Sequence, residues 1–200
     1  MILQCSETFE VYHFEHILLR FIEGKQINIF ANKNNKTVRE TLNHSRYVKL
    51  STEAHQRYCA SLDIPLGTFL LDLKIQNDNF YKKFLNAYGD LTYSTFQATD
   101  QSVIRRKGIY AYVSDKKIMY IGRCRDSISK RINQGYGKIH PKNCYIDGQS
   151  TNCHLNSLIT SGGTTIQLWL CMISSDAEIA AIERRLIRSY LPQWNIHQFL

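Results

Sequence analysis

The chain has no apolar run approaching the ~20 residues that cross a bilayer, and it does not begin with a basic segment followed by an apolar one. Neither a membrane span nor a secretory leader is therefore expected, and the cytoplasm, its own or a host's, is the expected compartment. No Cys-x-x-Cys pair occurs: the cysteines at 5, 59, 124, 144, 153 and 171 are scattered, which argues against a zinc site of standard spacing. Cys144, Cys153 and His154 lie near one another without an obvious fourth ligand, so reduced, partly buried thiols are expected. Internal repeats and low-complexity tracts are also missing. Hydrophobic residues at 44% against 21% charged exclude a disordered chain, and 200 residues suffice to bury a core.

What is present is charge in one place. Residues 101–150 hold eleven Lys and Arg against three Asp, which accounts for the whole net charge of +8. The remaining residues balance, fourteen against fourteen. A local basic excess is the footprint of a polyanion partner, because each phosphate contact releases condensed counterions. A solvated basic face would carry the same charge, so charge alone does not decide.

The pattern changes near residue 101, which divides the chain into 1–100 and 101–200. The first part reads as mainly helical. Phe9–Phe21 places Phe9, Tyr12, Ile17 and Phe21 at roughly helical spacing ahead of Gly24, Ser51 or Thr52 can cap a helix to about Leu62, and Asn79–Tyr88 aligns Phe80, Phe84, Leu85 and Tyr88. Thr37–Leu62 can form two short helices with a turn, a weak sign of DNA recognition, and dimerisation or packing onto the second part are equally open. In that second part Gly108–Val113 and Lys117–Ile121 read as a hairpin. A short helix comes next, from Asp126 or Ser127 to Gly135, then a loop over 136–150, a helix over 151–159, a strand over 164–173 and a long helix capped by Asp176. The expected fold is α+β, a small three-stranded, mostly antiparallel sheet flanked by helices.

The hairpin contains Gly108-Ile109-Tyr110 and Tyr120-Ile121-Gly122. Through these tripeptides and matching residues C-terminal to them, the sequence resembles the GIY-YIG nuclease family over residues 107–197. Arg131 matches the family's arginine on the helix after the second tripeptide, nine residues past Gly122 where eight is commoner. Eight would select Lys130, but a planar guanidinium grips two phosphate oxygens and suits the chemistry better. Glu183, Pro192, Trp194 and Asn195 match the family's helix glutamate and Pro-x-aromatic-Asn tail. Glu183 is also selected by periodicity. Ile179, Ile182, Leu186, Ile187 and Tyr190 form the apolar stripe of their helix, and Glu183 falls inside it, where a carboxylate must be paired or bound to a cation. Glu178, at the helix start, is the weaker candidate. The family's Tyr or His four residues after the arginine is here Gly135, with Tyr136 beside it. One extra residue in the helix explains both offsets and leaves Tyr136 and His140 as auxiliary bases.

The resemblance implies an endonuclease that hydrolyses DNA phosphodiesters with Mg²⁺ (or Mn²⁺), of restriction, homing, phage or repair type. Tyr110, or failing it Tyr120, would orient or deprotonate the water, Arg131 would clamp the phosphate, Glu183 would hold the metal and Asn195 would orient the site. A phenol of pKa about 10 needs a nearby cation to serve as base, for which Lys107 and Arg123 are available. DNA contacts are expected from Lys107, Arg123, Arg125, Tyr136, Lys138, His140, Lys142, Asn152 and His154, most of them on or near the amide-rich loop. Duplex DNA is the expected partner, with no membrane and a homodimer as one arrangement. The alternatives are a nucleic-acid-binding module without catalysis and an interaction protein in which the tripeptides only form a hairpin.

Overall fold

The computed structural model describes residues 1–196; residues 197–200, including the last residue of the resembling span, lie outside the described residues. In chain order come β1 (Ile2–Gln4), β2 (Val11–His13), β3 (Glu15–Ile17), β4 (Leu19–Gln26), α1 (Val38–Leu42), α2 (Ser51–Tyr58), α3 (Leu66–Ile75), β5 (Tyr93–Ala98), β6 (Gly108–Ser114) and β7 (Lys117–Cys124). A π-helix (Ser129–Tyr136), α4 (Ser150–Gly162), β8 (Gln167–Met172) and α5 (Asp176–Tyr190) complete the order, with 3-10 turns between. The fold is α+β, and the main sheet and the β1–β2 pair are antiparallel. No helix among the described residues is long and apolar enough to cross a membrane.

Two compact units divide the chain, and each is discontinuous. The first takes Met1–Gly24, Thr95–Lys138 and the residues from Leu158 on; the second takes Lys25–Ser94 and Ile139–Ser157. The sequence break near residue 101 does not coincide with this division, because residues 1–24 cluster with the first unit and residues 139–157 with the second.

In the first unit the main sheet has four strands, ordered β3-β8-β6-β7. Three are the strands expected from the sequence. The fourth, β3, pairs Glu15, His16 and Ile17 with Leu170, Trp169 and Leu168. The helix expected over 9–21 is therefore absent: these residues are strand and turn. Phe9 adopts φ +57° at the turn and is exposed, while Phe14 and Ile17 are buried. The free edge of β8 offers this segment a ladder partner, and that tertiary pairing overrides its helical spacing.

Side chains alternate across the sheet. On one face Ile109, Ala111 and Ile121 pack with Ile179, Ile182, Leu186 and Ile187 of α5, each buried isoleucine or leucine contributing about 1.5–3 kcal/mol. Ser175 rather than Asp176 caps α5, its hydroxyl accepting from the Glu178 N–H. The other face carries Tyr110, Tyr112 and Tyr120, with the π-helix bringing Tyr136 against Tyr110.

The second unit has its own core, built on Phe30, Val38, Leu66, Leu70, Phe80, Phe84, Tyr93, Cys144 and Tyr145. Thr37 and Glu40 form the capping box of α1. The helix expected over 79–88 is a 3-10 turn, Asn79–Phe84. It stops because Leu85 turns extended and bridges Tyr145.

Candidate active site

Gly108 opens β6 with φ +152°, and a Cβ there would collide with the Cys171 carbonyl oxygen of β8. Glycine therefore lets β6 approach β8 closely. Opposite Tyr110 in the β6–β7 ladder stands Gly122. A Cβ on Gly122 would lie 2.6 Å from the Tyr110 hydroxyl and 2.6 Å from the Tyr120 ring. The second tripeptide thus ends in glycine to leave room for the tyrosine of the first.

Four tyrosines meet on this face. Ring centroids of Tyr110 lie 6.0 Å from Tyr112, 6.0 Å from Tyr120 and 6.1 Å from Tyr136, and the Tyr110 and Tyr136 hydroxyls share a hydrogen bond of 2.7 Å. Burial pushes the Tyr110, Tyr112 and Tyr120 phenols well above their ordinary range, with neighbouring phenols adding to the effect and Arg131 opposing it. Tyr112 lies outside the motif that selects the others, although it stands two residues past Tyr110 on the same strand face. Its hydroxyl is buried and has no hydrogen-bond partner among the described residues.

The π-helix brings Arg131 and Tyr136 onto one face. In i→i+5 geometry residues five apart share a face, so the extra residue puts Tyr136 where an α-helix would place the fourth residue after the arginine. The Arg131 guanidinium lies 4.9 Å from the Tyr136 ring centroid, a favourable cation–π contact, and the residue remains exposed. Lys130, the alternative, pairs with Asp126 at the surface. Backbone bonds from Ile128 N–H to the Arg106 carbonyl (3.0 Å) and from Ser129 N–H to that of Ile104 (2.8 Å) fix the helix start. Its end is fixed by Phe96 N–H donating to the Gly137 carbonyl at 2.9 Å.

Glu183 projects from α5 toward β7, its side chain 12% exposed and Oε2 2.8 Å from Nη1 of Arg123. Burial raises its pKa above the ordinary value, while Arg123, Arg131 and Arg125 pull it back. Arg131 therefore acts electrically on both the tyrosines and Glu183. The phenols and the carboxylate sit on opposite faces of the sheet, and Arg131 is the group common to both.

Asn195 is bonded to β7. Its side-chain amide accepts from the Ile121 N–H at 3.0 Å and donates to the Ile121 carbonyl at 2.8 Å, while Trp194 N–H donates to the Met119 carbonyl at 2.8 Å. β7 is an edge strand, and this segment satisfies groups that would otherwise stand open.

Several expectations need correction. Tyr110, first choice as base, is fully buried, so its hydroxyl has no solvent to act on; Tyr120, at 8% exposed, is the less enclosed of the two. Lys107 is not held for the phenols but bridges Asp176 at 2.7 Å, and Arg123 is committed to Glu183. Arg125 and Lys138 are exposed on the first unit. His140, Lys142, Asn152 and His154 belong to the second unit. Asn152 does not suit DNA contact: it is 5% exposed, and its amide is spent on the Gln149 side chain at 3.1 Å. The His154 ring packs on Tyr88 at 4.4 Å, and Cys144 and Cys153 are free thiols in the core. His140 and Lys142 are exposed.

Compared with family models, with curated proteins and with solved structures, the chain matches none.

Proposed function

We propose that this chain is a metal-dependent endonuclease of the GIY-YIG type that hydrolyses phosphodiester bonds of duplex DNA. The observation that carries this reading is the setting of Glu183: a single, largely buried carboxylate facing the charges of Arg123, Arg131 and Arg125. An isolated buried carboxylate is costly, and three guanidiniums around it exceed what neutralising it requires. The surplus positive charge suits a phosphodiester.

Among the described residues no group of three or more His, Cys, Asp or Glu could form a metal cage. The donor set nonetheless fits Mg²⁺, which characteristically binds through one or two carboxylates and keeps water and phosphate oxygens for the rest. Glu183 would hold it, and the bound ion supplies charge neutralisation at the phosphate and leaving oxygen. Arg131, exposed and braced by the Tyr136 ring, grips the non-bridging oxygens in two-pronged fashion. From the tyrosine face Tyr110 and Tyr136 hold the Arg131 guanidinium in place, with Tyr120 packed against Tyr110; across the sheet from Glu183, these phenols position the arginine. At neutral pH phenols raised by burial stay protonated, so they act by holding hydrogen bonds rather than by removing a proton.

The Arg123–Glu183 pair also favours a second reading, a DNA-binding module without catalysis, since a carboxylate satisfied by arginine needs no metal. Plasmid nicking with Mg²⁺ and with EDTA separates them. Metal-dependent nicks that disappear in Glu183→Ala and Arg131→Ala are expected; nicking that survives Glu183→Ala unchanged sinks the metallonuclease reading, and binding without nicking supports the second.

A further inference from the structure

The second unit carries basic residues of two kinds. Arg39 pairs with Asp63 at 2.8 Å, Arg57 with Glu53 at 3.0 Å, Lys74 with Asp90 at 2.6 Å and Lys83 with Glu53 at 2.6 Å. Lys33, Lys36 and Lys142 form no ion pair with any described residue, yet the fold gathers them. The 3-10 turns Ile29–Asn32 and Pro141–Cys144 pack against each other, which brings Lys33, directly after the first, beside Lys142 within the second. The Lys33 ammonium lies 4.6 Å from the Tyr145 ring centroid. Tyr145 is itself fixed, its hydroxyl donating to the Phe30 carbonyl at 2.9 Å. Lys33 is half-buried while Lys36 and Lys142 are exposed. Burial pushes Lys33 below the ordinary lysine value; the Asp147 carboxylate pulls it back, and the weaker charges of Lys36 and Lys142 act in the same direction as burial. Asp147 is also occupied, accepting a hydrogen bond from the Tyr47 hydroxyl.

A solvated basic face would leave such lysines free to splay apart. Here one ammonium is held over an aromatic ring with the charges of two more acting on it, three cations against the single carboxylate of Asp147, a net excess that an anion would offset. We propose that Lys33, Lys36 and Lys142 form a phosphate-gripping surface for the backbone of duplex DNA, on the unit that does not carry the candidate active site. The proposal deepens the reading of the chain as a DNA endonuclease and rests on it for the choice of duplex DNA. Contacts of this kind position DNA without reading its sequence.

The test compares the full chain with a Lys33→Ala, Lys36→Ala, Lys142→Ala variant and with a Lys25→Ala, Lys49→Ala, Lys82→Ala variant that loses the same charge elsewhere. Binding to a duplex of random sequence is measured in EDTA across a salt series, with circular dichroism confirming that each variant is folded, and nicking is measured separately in Mg²⁺. Each lost phosphate contact lowers the slope of log affinity against log salt by about 0.9. The first variant should therefore show a slope smaller by about 1 to 3, while the charge-matched variant stays near the unaltered chain. Equal slopes in the two variants overturn the proposal, as does failure of the unaltered chain to bind duplex DNA, or binding through these lysines to anionic vesicles instead. A lysine-dependent slope in a chain that never nicks leaves this surface standing and removes the nuclease reading. Nicking with unchanged slopes does the reverse.

Discussion

Arg123 Nη1 lies 2.8 Å from Glu183 Oε2, an ion pair that ties the strand of the second tripeptide to helix α5 on the face of the sheet opposite the tyrosines. The pair fixes what pH should do. Burial raises the Glu183 pKa above 4.5, and Arg123 is the largest of the three charges that hold it down. A raised carboxyl pKa in the folded state means that the protonated form is the one folding favours. That contribution to stability is complete below the ordinary value and is lost as pH climbs through the raised one. Cation binding requires the ionised form, so activity moves the opposite way, rising with pH over the same interval. The acidic limb of the nicking profile is therefore expected above 4.5, and Arg123→Ala should shift it further toward alkaline pH. A limb that stays in place in Arg123→Ala separates Glu183 from the metal-binding step.

Gly122→Ala tests the fit of the two tripeptides. The added methyl would stand 2.6 Å from both the Tyr110 hydroxyl and the Tyr120 ring, and over-packing of this kind costs about 1–3 kcal/mol. Urea unfolding should show a lower midpoint with unchanged slope. Nicking should fall with it even below the unfolding range, because the displaced groups are the phenols themselves. An unperturbed midpoint would show that the tyrosine cluster has slack that the structure does not display.

Much of this arrangement is legible in the sequence. The β6–β7 hairpin, β8 and α5 stand close to where hydrophobic period and turn residues put them, and Glu183 is selected by falling inside an apolar stripe. The rest depends on partners distant in the chain. Residues 9–21 have helical spacing, but the edge of β8, more than a hundred residues away, turns them into strand. The π-helix is an extra residue whose effect emerges only once Arg131 and Tyr136 are seen on one face. Asn152 reads as a loop amide ready for DNA because burial cannot be told from a polar letter alone. Lys33 and Lys36 are invisible to a count of local charge, which points to 101–150, and only the packing of two 3-10 turns brings them to Lys142.

Asn195→Ala removes both hydrogen bonds to the Ile121 backbone, leaving the N–H and carbonyl of a buried residue without partners at the sheet edge. The expected cost is about 1–3 kcal/mol, visible as a lower thermal midpoint. Asn195→Asp keeps the acceptor but sets an oxygen against the Ile121 carbonyl, and should be no better than alanine. At temperatures where these variants remain folded, nicking should stay close to that of the unaltered chain, because Asn195 positions a strand and touches no reacting atom. A folded Asn195→Ala chain that has lost nicking would instead place this amide at the substrate.

The π-helix makes a sharper prediction, since it separates geometry from length. Gly135 lies within it, and a Cβ there would find as its nearest neighbour the Lys130 carbonyl oxygen at 3.6 Å. Deleting Gly135 converts an i→i+5 turn into an i→i+4 turn, so Arg131 and the tyrosine now four residues on still share a face. The Tyr110–Tyr136 hydrogen bond of 2.7 Å should survive. Nicking is expected to persist. Tyr136→Phe keeps the helix and removes a hydroxyl that bonds both Tyr110 and Tyr120, at a cost of about 1 kcal/mol, and loosens the ring behind Tyr120, so nicking should drop. If the deletion abolishes nicking in a folded chain while Tyr136→Phe leaves it intact, the bulge itself is required and the shared face of Arg131 and Tyr136 is not what the site uses.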